Sequence, residues 1–346
     1  MRIAQLVSPL NATTRRSNKA IYSHVGTLCD EMQHAGNEMH LFASGDSKTD
    51  AKLHAVNESY LDIPEISDFE RTYSTELLIS ECYEFAKHLD IIHSHFTLKT
   101  AFFTGLVDVP TVVSVHSPIR DELKPFLRKF KSNYYVSFSH AQRKQLPDLN
   151  WFANIYHGID TKLFSYKAKP EDYFLYIGRI VEEKGVHIAI EAAKQAGAKL
   201  VIAGRSYQTG GYWQKQIEGL IDDKQIIYVG EANLERKIEL YQNAKAVLFP
   251  TQFEEPFGLV MIESMSCGTP VIGWDNGSVR EVLKDGVSGY VVNDLKSMVD
   301  AMKSIDGISR QACRERAERL FSNETMVEGY LRVYNRVLED QKRLQN

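Results

Sequence analysis

The 346-residue sequence carries little that would staple it, anchor it or bind a metal. Its cysteines, Cys29, Cys82, Cys267 and Cys313, stand far apart with no Cys-x-x-Cys pair, which excludes a disulfide framework and a thiolate zinc site and suits a reducing cytoplasm. No apolar run approaches the roughly 18 residues of a membrane span, and the run at Met1–Val7 is too short for a signal peptide, so a soluble chain is expected. The net charge of −4, from 41 basic and 45 acidic side chains, gives no global attraction to nucleic acid, and any anion site must be local. No Gly-x-Gly-x-x-Gly turn follows any strand that can be read, which argues against a nicotinamide dehydrogenase. No Asp-x-Asp carboxylate cluster is evident. His93 and His95 stand two apart on a strand without a third ligand at useful spacing, so no metal site is expected.

What the sequence does have is 43% hydrophobic and 25% charged residues, enough for a large core, over a length that suits two domains. Short β-branched or apolar runs alternate with longer amphipathic stretches, the pattern of parallel sheets covered on both faces. Strands are read near 2–7, 38–43, 91–94, 111–115, 134–138 and 152–156, and then near 173–177, 199–203, 226–229, 246–249, 270–273 and 289–292. Ser17, Asn233 and Ser278 are candidate helix N-caps. The first series ends at His157-Gly158-Ile159-Asp160, and the polar stretch Ser165–Asp172 precedes a fresh strand. Two doubly wound domains facing a central cleft follow, 1–165 and 166–322, with a C-terminal helix over 323–346 packing back on the first. His157 reads as a hinge residue in the connecting loop.

One charge asymmetry is local. Between Asp46 and Asp90 eleven acidic residues face four basic ones, whereas Arg120–Lys144 holds seven basic and two acidic. The core of the basic stretch, Lys124-Pro125-Phe126-Leu127-Arg128-Lys129-Phe130-Lys131, would suit weak peripheral contact with an anionic membrane surface at its inner face, or an anionic acceptor. The plainer reading is favoured: a solvated helix face with its phenylalanines in the core.

The chemistry concentrates in the second half. At Phe249-Pro250-Thr251-Gln252-Phe253-Glu254-Glu255-Pro256-Phe257-Gly258-Leu259-Val260-Met261-Ile262-Glu263 a strand runs through a loop into a helix, whose free amides at Gly258, Leu259 and Val260 make an anion site. Carboxylates accept hydrogen bonds from vicinal hydroxyls, which places Glu255 on a transferred sugar and Glu263 on a ribose. Gly178-Arg179-Ile180-Val181-Glu182-Glu183-Lys184-Gly185 follows the first strand of the second domain and delivers the cations Arg179 and Lys184 to one pocket. A leaving diphosphate needs that neutralisation.

These segments, together with Cys267-Gly268-Thr269-Pro270-Val271-Ile272, resemble retaining glycosyltransferases of family 4, whose architecture is GT-B. Leu41–Ser47 and Asp90–Phe96 resemble stretches of that family's N-terminal domain. The resemblance implies a metal-independent hexosyltransferase acting in polysaccharide biosynthesis, without a cofactor, on a nucleotide diphosphate sugar and a carbohydrate, lipid-linked or small-molecule acceptor. It implies that Arg179 and Lys184 grip the diphosphate, that Glu255 and Glu263 hold donor sugar and ribose, and that Val229-Gly230-Glu231 lies by the base. Gly178, Gly204, Phe257, Gly258, Leu259 and Val260 complete the donor-binding set. It implies too that His116, in Val115-His116-Ser117-Pro118, points at the donor sugar. The implied mechanism is same-face attack through an oxocarbenium-like transition state with the leaving phosphate as base, so His116, Arg179, Lys184 and Glu255 act through charge and position.

The sequence departs from the family in the loop after the first strand, Ser8–Lys19, which lacks the usual glycine pair. Arg15, Arg16 or Lys19 is expected to replace that backbone contact with side-chain cations, against the alternative of a mobile solvated loop. A UDP-sugar is weakly favoured over a GDP-sugar. The competing functions are a non-catalytic sugar-nucleotide binder, against which the intact Arg179, Lys184, Glu255 and Glu263 argue, and on the same chassis a phosphorylase, which would want a pyridoxal lysine and far more chain, or an epimerase, which would lack the Glu255/Glu263 arrangement.

Overall fold

A computed structural model describes residues 1–17, 19–206 and 211–345, the side chain of Gln345 excepted. In chain order its elements are β1 (Arg2–Leu6), α1 (Ala20–His34), β2 (Glu38–Phe42), β3 (Lys52–His54), α2 (Asp68–Glu84), β4 (Ile91–Ser94), β5 (Thr111–Ser114), α3 (Lys124–Lys129), β6 (Tyr134–Ser137), α4 (His140–Arg143) and β7 (Trp151–Asn154). They continue as β8 (Phe174–Ile177), α5 (Val186–Ala196), β9 (Leu200–Ala203), β10 (Ile226–Tyr228), α6 (Leu234–Asn243), β11 (Ala246–Phe249), α7 (Leu259–Ser266), β12 (Val271–Trp274), α8 (Val279–Val282), β13 (Gly289–Val292), α9 (Leu295–Ser304), α10 (Arg310–Phe321) and α11 (Asn323–Gln345). The chain forms two compact units, Met1–Gly158 with Asn323–Asn346, and Ile159–Ser322.

The first unit is a parallel sheet in the order β3-β2-β1-β4-β5-β6-β7. Strand parity sorts its core. Ile3, Ile91 and Val112 face α1 and α11, where they meet Leu28, Met32 and Tyr330. Ala4, Leu6 and Ile92 face the other way, onto Leu78, Ile79 and Cys82 of α2. A sheet covered on both faces needs near-continuous apolar strands, which is why these read so clearly in sequence. The second unit repeats the design in the order β10-β9-β8-β11-β12-β13. Arg310 pins it internally, donating to the carbonyls of Lys167 (2.8 Å), Ala244 (2.9 Å) and Gln242 (2.8 Å) and to the Thr269 hydroxyl (2.7 Å). In each sheet the chain winds outward one way and then the other, so the order switches between β1 and β4 and between β8 and β11. Crevices at the carboxyl ends of such strand pairs are where doubly wound sheets hold ligands.

Several expectations need correction. The first unit ends at Gly158 rather than 165, because the segment after it belongs to the second sheet: Ile159 pairs with Ser322, and Lys167 N–H donates to Cys267 O at 3.1 Å. The C-terminal helix does pack in the first unit, with Tyr330 and Tyr334 in its core. Strand β3 went unread because it is short, polar and on the sheet edge. Asn233 caps α6, accepting from Arg236 N–H at 2.9 Å. Ser17 caps nothing, since α1 begins after Lys19 without a side-chain cap. Ser278 stands before α8, but its hydroxyl donates to Phe257 O at 2.6 Å instead of capping. Two capping boxes were overlooked, Ser67 with Glu70 on α2 and Asp294 with Ser297 on α9.

Candidate functional site

Three glycines shape the carboxyl edge of the second sheet. Gly178 N–H donates to Ala203 O at 3.0 Å and Gly204 N–H to Gly230 O at 2.8 Å, tying the ends of β8, β9 and β10 together. The approach is so close that a Cβ on Gly204 would lie 1.8 Å from Gly178 O. Val229 N–H donates to Ile202 O at 3.0 Å, which leaves Val229 and Glu231 exposed on this edge.

The loop after β8 is laced to the loop after β11. Gln252 N–H donates to Glu183 O at 2.8 Å, and Gln252 Nε2 donates to Glu182 O at 2.9 Å. Gly185, at φ 71°, sits where a Cβ would meet Pro250 O at 2.2 Å. This lacing puts Lys184 on Glu255 as an ion pair between side chains only 17% and 15% exposed, with the Lys184 ammonium 4.7 Å from the Phe253 ring centroid. The β12 loop backs the arrangement: Ser278 N–H donates to Glu255 O at 3.1 Å and Asn276 Nδ2 to Thr251 O at 2.9 Å. Gly258, at φ 82°, opens α7 without a side-chain cap hydrogen bond among the described residues, and Phe257 is buried beneath. Arg179 shares the Lys184 loop but is exposed and paired with Glu183 at 3.2 Å. A cation, a carboxylate and a bare helix start therefore meet at the β8/β11 switch point, an arrangement that suits a diphosphate joined to a polyol.

Glu263 has partners that the sequence did not show. It lies inside α7, 8% exposed, and accepts from Lys237 Nζ at 2.7 Å and from Tyr241 OH at 2.8 Å. Burial, with Glu263 adding to it, pushes the Tyr241 hydroxyl well above the usual tyrosine range. A ribose reaching Glu263 has to share it with both donors. Spacing along the chain could place the carboxylate on the helix, but not reveal that α6 presents a lysine and a tyrosine to it.

In the first unit the glycine-free loop is pinned. Thr13 N–H donates to Ser47 Oγ at 2.9 Å, Lys48 N–H to Thr13 O at 2.9 Å and Ser23 Oγ to Arg15 O at 3.0 Å. Gly26 of α1 lets the loop lie against the helix, a Cβ there being 2.6 Å from the Thr14 carbonyl carbon. Arg15 is paired with Glu31 on α1, whereas Arg16 and Lys19 are exposed and join no ion pair among the described residues.

His116, which follows β5, belongs to a buried histidine cluster. His95 Nδ1 and His116 Nε2 are 2.8 Å apart, His95 Nε2 is 2.8 Å from Gln5 Oε1, and His24 and His157 share a contact between their Nδ1 atoms at 3.0 Å. His157, one residue before the first unit's opening segment ends, is 8% exposed and stacks on Phe138 at 3.8 Å. His93 points elsewhere, to Tyr334 OH at 2.7 Å and Ser114 Oγ at 2.8 Å. Burial, reinforced by mutual repulsion, lowers His93, His95, His116 and His157 well below the usual imidazole range, and burial takes His24 down to about 3.

The family described as "Glycosyl transferases group 1" matches residues 159–320, and "Glycosyltransferase Family 4" matches residues 22–163. The chain belongs to glycosyltransferase family 4. This glycosyltransferase is an enzyme that transfers sugars, with the GT-B fold. It is 27% identical over 287 residues to the O-antigen chain mannosyltransferase C of Escherichia coli, covering 72% of this chain and 76% of that one. It is 28% identical over 228 residues to the D-inositol 3-phosphate glycosyltransferase of Mycolicibacterium smegmatis, 59% of this chain and 50% of the relative. Among solved structures, AviGT4, a glycosyltransferase involved in avilamycin A biosynthesis, superposes with a TM-score of 0.74 at 23% identity, covering 98% of each chain. Anabaena HepE in complex with UDP-glucose gives 0.71 at 17% identity, covering 97% of this chain and 99% of that one.

The basic stretch of the glycosyltransferase is a solvated helix face only in part. Leu127 is buried and Phe130 is half-buried against the Phe102 ring at 5.2 Å, but Phe126 is 51% exposed, contrary to the expected core position. Two of its cations are already matched, Lys124 by Asp121 and Arg128 by Asp148, each at 2.7 Å. Among the described residues no helix is long and apolar enough to cross a membrane.

Proposed function

We propose that this glycosyltransferase moves a hexose from a nucleoside diphosphate sugar to a glycan acceptor, with retention of configuration and without a metal at the transfer site. The Lys184–Glu255 pair beside the uncapped start of α7 carries the reading. When donor enters, Lys184 and the amides of Gly258, Leu259 and Val260 turn to the diphosphate, and Glu255 exchanges its lysine for donor-sugar hydroxyls. Charge developing on the leaving diphosphate is met by groups already in place, so no solvent has to reorganise. Arg179 supplies a second cation from the same loop. The leaving phosphate accepts the acceptor's proton, so no side-chain base is needed. Glu263 orients the ribose while keeping Lys237, and the base lies by Val229, Gly230 and Glu231.

The O-antigen mannosyltransferase relative supports a hexose and a polysaccharide acceptor. The HepE complexes with UDP and UDP-glucose support a nucleotide-sugar donor and favour uridine. A thermal-shift panel of nucleoside diphosphates, followed by donor turnover with the one that stabilises most, tests the assignment. Lys184→Ala is expected to cut release of nucleoside diphosphate by about 10²–10³-fold, the range for removing one preorganised stabiliser of developing charge. Turnover at the wild-type rate in that variant would discard the assignment, and stabilisation by nucleotide without any turnover in the wild-type chain would mark a binder.

A further inference from the structure

Helices α2 and α3 lie side by side on one face of the first sheet. Val113 and Tyr135, which pack with Leu127 of α3, share strand parity with Ile92, which packs with α2. The short turns Lys99–Phe102 and Thr104–Leu106 fill the space between the helices. Lys99 Nζ pairs with Glu76 of α2 at 2.9 Å, and the Phe102 ring meets Phe130, just past α3, at 5.2 Å. The three pieces therefore form one continuous outer surface.

That surface is apolar where it should be polar. A helix packed on a sheet by one face normally turns charged and polar residues outward. The outward stripe of α2 is instead Phe69, Tyr73 and Leu77, opposite the buried Leu78, Ile79 and Cys82, with the first two rings in contact at 4.4 Å. Together with Phe102, Leu106 and Phe126 they are all the large apolar side chains more than half exposed among the described residues, Leu344 excepted. Apolar surface gathered in this way marks a place where something docks.

The charges at its borders say what. Glu81 and Glu84 on α2, and Lys129 and Lys131 at the end of α3, are exposed and join no ion pair among the described residues. Helix α2 precedes β4 and α3 precedes β6 in a parallel sheet, so both helices end at its amino edge, and the two sets of opposite charge lie at the same end of the face.

We propose that this face is a two-fold interface through which two copies of the chain associate, a proposal that does not depend on the sugar-transfer assignment. In such a contact residue i meets residue j while j meets i. An axis lying in the face along the middle turns lays α2 of each copy over α3 of the other. Phe102 and Leu106 then meet their own counterparts near the axis, and at each flank Glu81 and Glu84 stand across from Lys129 and Lys131. A second copy matches both borders at once. An anionic bilayer would attract the α3 border and repel the α2 border.

Sedimentation velocity of the full chain at micromolar concentrations should show a species of twice the chain mass, weakened by added salt as the flanking pairs are screened. Leu106→Asp places a charge beside the axis in both copies and should leave only monomer. Glu81→Lys with Glu84→Lys makes both flanks basic, and Lys129→Glu with Lys131→Glu makes both acidic. Either double variant should dissociate roughly 10–100-fold more readily, because the two-fold repeats every exposed pair. Mixed together, the two double variants should pair with each other at wild-type affinity, with circular dichroism as the check on folding. A monomeric wild-type chain, a dimer left intact by a folded Leu106→Asp, or folded double variants that stay apart on mixing would overturn the proposal. A monomer that pellets with phosphatidylglycerol vesicles but not with phosphatidylcholine vesicles would overturn it in favour of a bilayer.

Discussion

At the scale of single residues, the site depends on places where a side chain cannot exist. Gly204 combines φ 152° with backbone 1.8 Å from where its Cβ would be, so Gly204→Ala must push β8 and β9 apart at their carboxyl ends. A cost on the order of 4 kcal/mol or more is expected, in the range of exceptional single changes. A urea midpoint for Gly204→Ala equal to that of the wild type would refute the close approach. The residues around it were legible because each sits in a short contiguous motif: Lys184 and Gly185 touch along the chain, and Glu255 precedes Gly258 by one loop. The histidine cluster was not legible, since His24, His95, His116 and His157 come from four separated segments that only the winding of the sheet brings together. His93 and His95, two apart, share a face with ring centroids 4.3 Å apart, yet they bond to different partners: His93 to Tyr334 and Ser114, and His95, just past the end of β4, to Gln5 and His116.

Among the elements, the strands were read well because burial on both sheet faces leaves an unmistakable apolar run, as in Ile91-Ile92 or Ala246–Phe249. Helix starts were read less well. Serine is common before helices, but only geometry tells whether its oxygen reaches the N3 amide, as Ser67 does and Ser17 does not. Helix α1 begins with Lys19 in an extended conformation suited to a cap that its side chain cannot make. Lys19→Ser should stabilise the first unit by about 1 kcal/mol. Such a gain corresponds to about 2–4 °C in melting temperature for a unit of this size. A fall in melting temperature would show that Lys19 contributes something more than its backbone.

On the scale of the whole molecule, the chain leaves the first unit at Gly158 and re-enters it at Asn323, so that unit is completed by its last helix. Tyr330 and Tyr334 of α11 place their hydroxyls 2.7 Å from Ser114 Oγ and from His93 Nδ1 in the middle of the sheet. Removing 323–346 is expected to unfold the first unit while leaving the second, whose segment is continuous. Calorimetry of the truncated chain should show one transition fewer than the full chain, and an unchanged thermogram would sink this account. The boundary itself was misplaced in sequence because polarity marks where a chain is exposed, whereas the true seam is drawn by backbone pairing.

That pairing has a mechanical meaning. Ile159 N–H donates to Phe321 O at 2.9 Å, joining the first residue of the second unit to the last but one, and the first and last segments of the chain both lie in the other unit. If the two ends of the polypeptide were pulled apart, tension would be borne by the first unit until it gave way, and the second, clasped at its own entrance, would feel load only afterwards.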